Sequence, residues 1–246
     1  MLRAALTLSL ILTSFSASAL TPFEKHFLHV TQGMASFYMY LLSNEDKKFQ
    51  KAYEQAFDDA TQAIIESKDS SKQSFIKRWM ELKPTLQYEK KKGMGLNLNQ
   101  NIRLAFRAYV VDLYLEFEKT PKDNKYAISA YERIQLFSSM LSARALDLDS
   151  SIYGTNLFTD HDRLLDQVKV AEGIESDLKA LLSSNLPKDY QKQLRKVEAK
   201  FRFMKPSLVD YESRSATYLL YQNTLAINQI MNEQQKNQSV IASSLL

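Results

Sequence analysis

Only five glycines and five prolines punctuate the 246 residues of this chain. Between these breakers the apolar residues recur three and four apart, the period of one face of a helix. Alanine, leucine, lysine, glutamine and glutamate are abundant, and all favour helix. A chain so poor in turn formers has little with which to build hairpins. It also has no cysteine, so no disulfide can staple a small core and a large one must hold the fold. These features predict an all-α protein.

The first nineteen residues read as a leader. Arg3 supplies a short positive start, Ala4 to Phe15 are apolar but for Thr and Ser, and Ala17-Ser18-Ala19 is the small-x-small pattern of a signal-peptidase site. The stretch is too short to span a bilayer, and no later stretch is apolar enough to do so. Cleavage after Ala19 would leave residues 20–246 as an exported protein, with the periplasm as its natural place. No cysteine follows the cut to carry a lipid.

Charge argues mainly through its distribution. The net value of +4 is too small to point to nucleic acid, and export argues against it too. Residues 72–92 carry seven basic and two acidic side chains, and residues 188–205 carry the same numbers. Residues 145–179 carry eight acidic and three basic ones. The simplest arrangement puts basic helices beside acidic ones. A sharper reading makes Lys90 to Lys92 an anion-binding or membrane-facing surface.

Local signals place eight helices. Thr21-Pro22 is a cap followed by proline at the first helical position. Ser43 and Asp46 mark a stop and a restart, and Asp69-Ser70-Ser71 marks a turn. A bend or break is expected near Pro84, and Lys91 to Asn101 reads as a loop. Thr120-Pro121 repeats the opening device. The fifth helix is expected over 123–152, the sixth from a cap at Thr159 to Ser184, the seventh from Pro187 past Pro206, and the eighth over 215–236. Residues 237–246 are expected to fray as a flexible tail.

The two halves repeat. Trp79-x-x-x-Lys83-Pro84-x-Leu86 matches Phe201-x-x-x-Lys205-Pro206-x-Leu208, Met34-x-Ser36 matches Met140-x-Ser142, and Ala63-Ile64-Ile65 matches Ala180-Leu181-Leu182. The expected architecture is therefore two homologous four-helix up-and-down bundles, over 20–119 and 120–236. The alternative fuses successive helices into one elongated bundle of four long ones. Trp79 is expected in the core.

Motifs for catalysis are missing. There is no GxSxG, no HExxH and no cysteine nucleophile. His26 and His29 share a helix face at i, i+3, but a metal site needs further ligands. They read as a solvated helix end. Asp160-His161-Asp162 reads as a helix cap. Asp147-Leu148-Asp149 begins like a calcium loop, but Ile152 stands where glycine is required and Phe158 where glutamate is. Gly93-Met94-Gly95 lacks the strand and helix of a phosphate loop. No enzyme, metal or cofactor is expected.

The run Glu132 to Gly154, with Met140-Leu141-Ser142-Ala143-Arg144-Ala145 at its centre, resembles the first helix of PilJ-type sensor domains. These are the periplasmic four-helix domains of nitrate/nitrite sensors and of the type IV pilus chemotaxis transducer. The family motif runs GRQRMLSQRMAK, and this chain keeps its first Met, its Leu, its Ser and its third Arg. The helix VxxxFxxMKPSL, Val197 to Leu208, follows two helices later, where the family has a valine-tryptophan helix. In the family the motif arginines hold an oxyanion, because a guanidinium fork pairs two oxygens at once. Two of those positions are Phe137 and Ser139 here, and Arg144 remains. The resemblance implies a ligand site with Arg144, Ser142 and Met140 as contacts, for a small anion.

Together these readings predict a non-enzymatic periplasmic module that senses or binds a small oxyanion and signals through an envelope or periplasmic protein partner. The alternative is a structural or adaptor protein that binds a partner through a helix face, such as the basic faces at 72–92 or 188–205. A homodimer fits either reading. The plain alternative for Arg144 is an ion pair with Asp147 or Asp149.

Overall fold

The computed structural model describes residues 20–90, 98–119, 129–151, 158–210 and 216–244; the expected leader lies outside them. They form α1 (Pro22–Leu42), α2 (Lys47–Glu66), α3 (Gln73–Lys90), α4 (Gln100–Glu118), α5 (Ala130–Asp149), α6 (Gln167–Ser183), α7 (Lys188–Val209) and α8 (Thr217–Ser244). No strand occurs among the described residues, and none of their helices is long and apolar enough to cross a membrane.

Both halves open with the same device. Thr21 and Glu24 form a capping box at α1, and Ser129 and Glu132 form one at α5. Each side chain answers the other residue's free backbone N–H, which satisfies two orphan donors of the first turn. Burial pushes the Glu24 carboxyl pKa up, and Glu132 adds to the rise. Helices α1 and α5 pack side by side, and Arg103 lies over Tyr38 near the end of α1 while holding Asp147 near the end of α5, so the two run parallel.

Each half closes its own ring. In the first, α1 packs on α2, α2 on α3, α3 on α4 and α4 back on α1. The second repeats this with α5, α6, α7 and α8, and α1 packs against α5 to join the rings. This is the paired up-and-down arrangement rather than four long fused helices. The repeat extends to matching ties across each ring. Lys83 reaches Asp58 at 2.6 Å in the first half, and Lys205 reaches Glu175 at 2.8 Å in the second. These bonds also join basic helices to acidic neighbours, as the charge pattern suggested.

The joining pair sets the core. Sixteen residues of α1 and sixteen of α5 are buried, so both helices are covered nearly all round. Gly33 lets α2 approach closely: a Cβ there would collide with the Phe57 ring. A continuous apolar cluster runs through both halves, with Trp79, Phe106, Tyr109, Ile134, Met140 and Phe201 among its most deeply buried side chains.

Several local expectations need correction. Helix α3 continues through Pro84 to Lys90. Helix α5 starts at Ala130 because Ser129 caps it, later than the expected 123. Thr159 and Asp162 do form a capping box, with Asp162 N–H donating to Thr159 Oγ1 at 3.2 Å, but it opens only a 3-10 turn, Asp162–Leu164. Asp166 then caps α6 itself, its carboxylate accepting from Lys169 N–H. Helix α8 runs on to Ser244 through the tail expected to fray. At the α1–α2 turn Asn44 and Glu45 take positive φ, 56° and 69°. Glu45 N–H bonds back to the Tyr40 carbonyl at 2.8 Å, a Schellman closure with asparagine in the usual glycine place.

A candidate anion site at the end of α5

Two arginines of α4, Arg103 and Arg107, sit one helical turn apart on the same face and are both buried. They grip the same carboxylate, Asp147 of α5, one at each oxygen. Arg103 does more. It donates to the Asp147 carbonyl at 2.8 Å, to Ser150 Oγ at 2.9 Å and to the Ser150 carbonyl at 3.3 Å. It thereby caps the C-terminus of α5, where free carbonyls and the helix dipole favour a cation. Its guanidinium also lies over the Tyr38 ring, 5.3 Å from the centroid. Burial, with Asp147 beside it, pushes the Tyr38 hydroxyl pKa well above the usual range, so it stays a neutral O–H.

Arg107 is less well served. Burial opposes its charge, but Asp147 outweighs burial and its pKa ends above the ordinary value, with Asp162 also contributing. Its Nε holds Asp147, while Nη1 and Nη2 are buried with no hydrogen-bond partner. Asp162 matches this in the opposite sense. Its Oδ2 accepts from Thr159 N–H at 2.8 Å and Thr159 Oγ1 at 2.9 Å, while Oδ1 is buried with no partner. Orphaned buried polar atoms are rare and costly, and here a donor pair and an acceptor are orphaned together.

Arg144 belongs to the same cluster. Its Nη2 donates to the Asp162 carbonyl at 2.8 Å. Its guanidinium lies 4.9 Å from the Phe158 ring centroid, and that of Arg107 lies 5.4 Å from it. The helix resemblance thus led to one residue of this group. Ser142 and Met140 are not brought to it. Ser142 Oγ bonds Thr224 Oγ1 of α8 at 2.6 Å, and Met140 is fully buried in the core. Residues two apart on a helix point about 200° apart. Asp147, a candidate ion-pair partner of Arg144, is taken by Arg103 and Arg107.

Arg103 and Arg107 were not singled out from the sequence, where Asp147 was read only as a failed calcium loop and a partner for Arg144, and Asp162 only as part of a helix cap. The signal available was two arginines at i, i+4 on a helix whose other buried positions, Phe106, Tyr109, Val110 and Leu113, leave little room for a solvated face.

His26 also departs from expectation. It is fully buried rather than solvated. Its Nδ1 lies 2.8 Å from the Ala60 carbonyl and its Nε2 lies 2.6 Å from the Tyr109 hydroxyl. A carbonyl only accepts, so the proton sits on Nδ1 and Nε2 accepts from Tyr109. Burial lowers its pKa to about 4. Trp79 meets it edge-on at 5.2 Å. This is a neutral core histidine. Among the described residues no group of three or more His, Asp or Glu side chains could hold a metal.

No family model, curated protein or solved structure matches the chain.

Proposed function

We propose that this protein is a non-enzymatic periplasmic module that binds a small oxyanion at the Arg103, Arg107, Arg144 cluster and signals through an envelope partner. The supporting observation is Arg107. It is 5 % exposed, and both its terminal nitrogens are orphaned. Buried donors without acceptors are costly, and a bound anion would pair the free nitrogens. Phe158 covers both guanidinium planes and would keep water away.

The coupling to a partner rests on position. The cluster ties the start of α4 to the end of α5, and α5 packs on α1 and on all three other helices of its own ring. An anion that draws Arg107 away from Asp147 would loosen α4 from α5, a helix shift of the size that helical sensors use.

The test is thermal unfolding of the purified protein with bicarbonate, phosphate, sulfate, nitrite and nitrate at constant ionic strength. A ligand at a hundredfold excess over its Kd stabilises by about 2.7 kcal/mol. The expected result is such a rise with at least one oxyanion, lost in Arg107→Gln, which leaves Asp147 paired with Arg103. No rise with any anion, from a folded sample, would overturn the reading.

A second reading draws on α7. Lys192, Arg195 and Lys196 are exposed there, and Phe203 is 57 % exposed beside them. This basic, partly aromatic face would suit an adaptor that docks an acidic protein.

A further inference from the structure

The repeat lets α7 be compared with α3 position by position. Counted from the matched Lys-Pro pairs, the buried Val197, Phe201 and Leu208 of α7 stand where α3 has the buried Phe75, Trp79 and Leu86. The packing faces agree, and the exposed faces do not. Lys192, Arg195, Lys196 and Phe203 stand where the first half has Ser70, Gln73, Ser74 and Glu81, and all eight are exposed. The first half closes the same ring without these cations, so the fold does not require them. They even work against it, because Lys188, Lys192 and Lys196 are successive i, i+4 neighbours of like charge. Helix α7 carries two acids, Asp189 and Glu198, and Glu198 pairs with Arg202 at 3.3 Å. Among the described residues Lys188, Lys192, Arg195 and Lys196 have no ion-pair partner.

These four cations share about 100° of the helix surface, and the exposed Ala199, Phe203 and Pro206 continue the same stripe. Lys200 Nζ donates to Asn223 Oδ1 of α8 at 3.0 Å, which sets the register of the two helices. One turn nearer the end of α7 lies Phe203, and one turn nearer the start of α8 lies Leu219, so these two exposed side chains come level. Tyr218 is exposed next to Leu219, and Lys48 of α2 lies over its ring, 5.3 Å from the centroid. From Thr217 to Asn232 helix α8 has no charged side chain. The acids lie on the other flank of α7, where Glu175 of α6 is held by Lys205.

From this arrangement we infer that the outer side of α7, with the start of α8, docks on an anionic phospholipid surface. The cations meet the headgroups, and Phe203 and Leu219 enter the apolar boundary. Three of the four free cations are lysines, point charges on flexible stems rather than planar forks. Lipid headgroups diffuse to meet such charges, whereas the fixed carboxylates of a protein would need matching positions. The stripe is also charged at one end and apolar at the other, with Phe203 about 16 Å along the helix from Lys192. A bilayer surface offers charge and hydrocarbon at different depths, so a tilt of α7 serves both ends at once. The helix lies on the membrane and does not cross it.

The experiment is co-sedimentation of the purified protein with mixed vesicles of phosphatidylglycerol and phosphatidylcholine, and with vesicles of phosphatidylcholine alone. Binding is expected to the mixed vesicles only, and it should fall steeply with added salt. The triple variant Lys192→Ser, Arg195→Gln, Lys196→Ser gives α7 the residues that the first half carries at these exposed positions, so its fold is expected to survive. Each cation near an anionic bilayer is worth about fivefold in affinity, and the triple variant is expected to bind about a hundredfold more weakly. Phe203→Glu is expected to weaken binding at low and high salt alike. A folded protein that does not bind the mixed vesicles, that binds phosphatidylcholine equally well, or that binds undiminished as the triple variant overturns the inference. Capture by polyglutamate without vesicle binding overturns it too, and gives this face to an acidic protein. None of these outcomes touches Arg107, so the oxyanion reading stands or falls by its own test.

Discussion

The first half fills the seam between its opening and closing helices with rings; the second fills the same seam with hydroxyls and amides. In the first, His26 of α1 meets Tyr109 of α4, with Phe106 of α4, Phe57 of α2 and Trp79 of α3 closing round them, ring centroids 5.2–6.4 Å apart through the set. Between α5 and α8, Ser142 bonds Thr224, Asn228 donates to Ser139 Oγ at 2.9 Å, Gln135 donates to the Asn228 carbonyl at 3.0 Å and Gln235 donates to Glu132 at 2.7 Å. The caps and the lysine–carboxylate ties are the same in both halves. Topology is therefore carried by the repeated ends and ties, and the seam chemistry is free to diverge. An aromatic seam gains from area and dispersion, wherever its partners slide by a fraction of a turn. A polar ladder gains only in one register, because each group needs its own partner. The first half should hold the molecule together, and the second should fix α8 against α5.

The sharpest way to break this comparison is at the rings. Trp79→Ala empties a fully buried site and strips Thr61 Oγ1 of its indole donor, 2.8 Å away. The expected loss is about 3–5 kcal/mol. Phe201→Ala, at the matching place in α7, is expected to cost about 3 kcal/mol. Denaturant midpoints of the two variants give the order, and a smaller loss for Trp79 would reverse the roles of the halves.

Between the halves, Asp147→Asn removes the charge that holds Arg103 and Arg107. Breaking a buried pair costs about 3–5 kcal/mol, and hydrogen bonds that the amide retains should bring this loss to the lower end. The same midpoint measurement reads it, and a neutral outcome would mean that the arginines find water instead.

Acid offers a probe of the aromatic seam alone. The unfolded imidazole takes its proton near 6.5, whereas burial holds His26 neutral down to about 4. The unfolded chain thus binds the extra proton in that window, and stability falls as pH drops through it. The contribution is complete above about pH 6.5 and gone below about pH 4, roughly 3 kcal/mol in all. In His26→Gln this part of the pH profile should flatten. A profile that keeps its full slope would place the acid sensitivity elsewhere.

The smallest effect is expected in the ladder. Ser142→Ala should cost about 1 kcal/mol by removing the bond to Thr224 Oγ1, which then keeps only its bond to the Leu220 carbonyl at 2.9 Å. Adding Thr224→Val should cost little more, since both ends of the bond are then apolar. A double-mutant cycle separates the terms, and a large, additive loss would mean that the ladder supports mass rather than register.

How much of this was legible depended on whether a residue's role was local. Thr21 and Asp46 announce helix starts because a cap is a neighbouring-residue effect. The matched Lys-Pro segments at 83–84 and 205–206 announce the repeat. Trp79 announces core by its size. His26 did not announce its burial, because two histidines at i, i+3 look the same on a wet face and on a helix enclosed by α2, α4 and α5. Ser138, Ser139, Ser142 and Gln135 were hidden for the same reason: α5 is enclosed by α1, α6, α7 and α8, so its buried positions follow no amphipathic period. Of the anion cluster only Arg144 could be reached, through a motif. Arg103 and Arg107 lie on α4 and Asp162 on the turn before α6, and only the folded chain brings them to Asp147 and Arg144.

The most direct test of the account is a crystal structure of the protein grown with the oxyanion that most raises its unfolding temperature. The expected result is an anion with two oxygens about 2.7–3.2 Å from Arg107 Nη1 and Nη2. An Arg107 whose terminal nitrogens donate to protein acceptors or to a lone water, with no anion beside them, would contradict it.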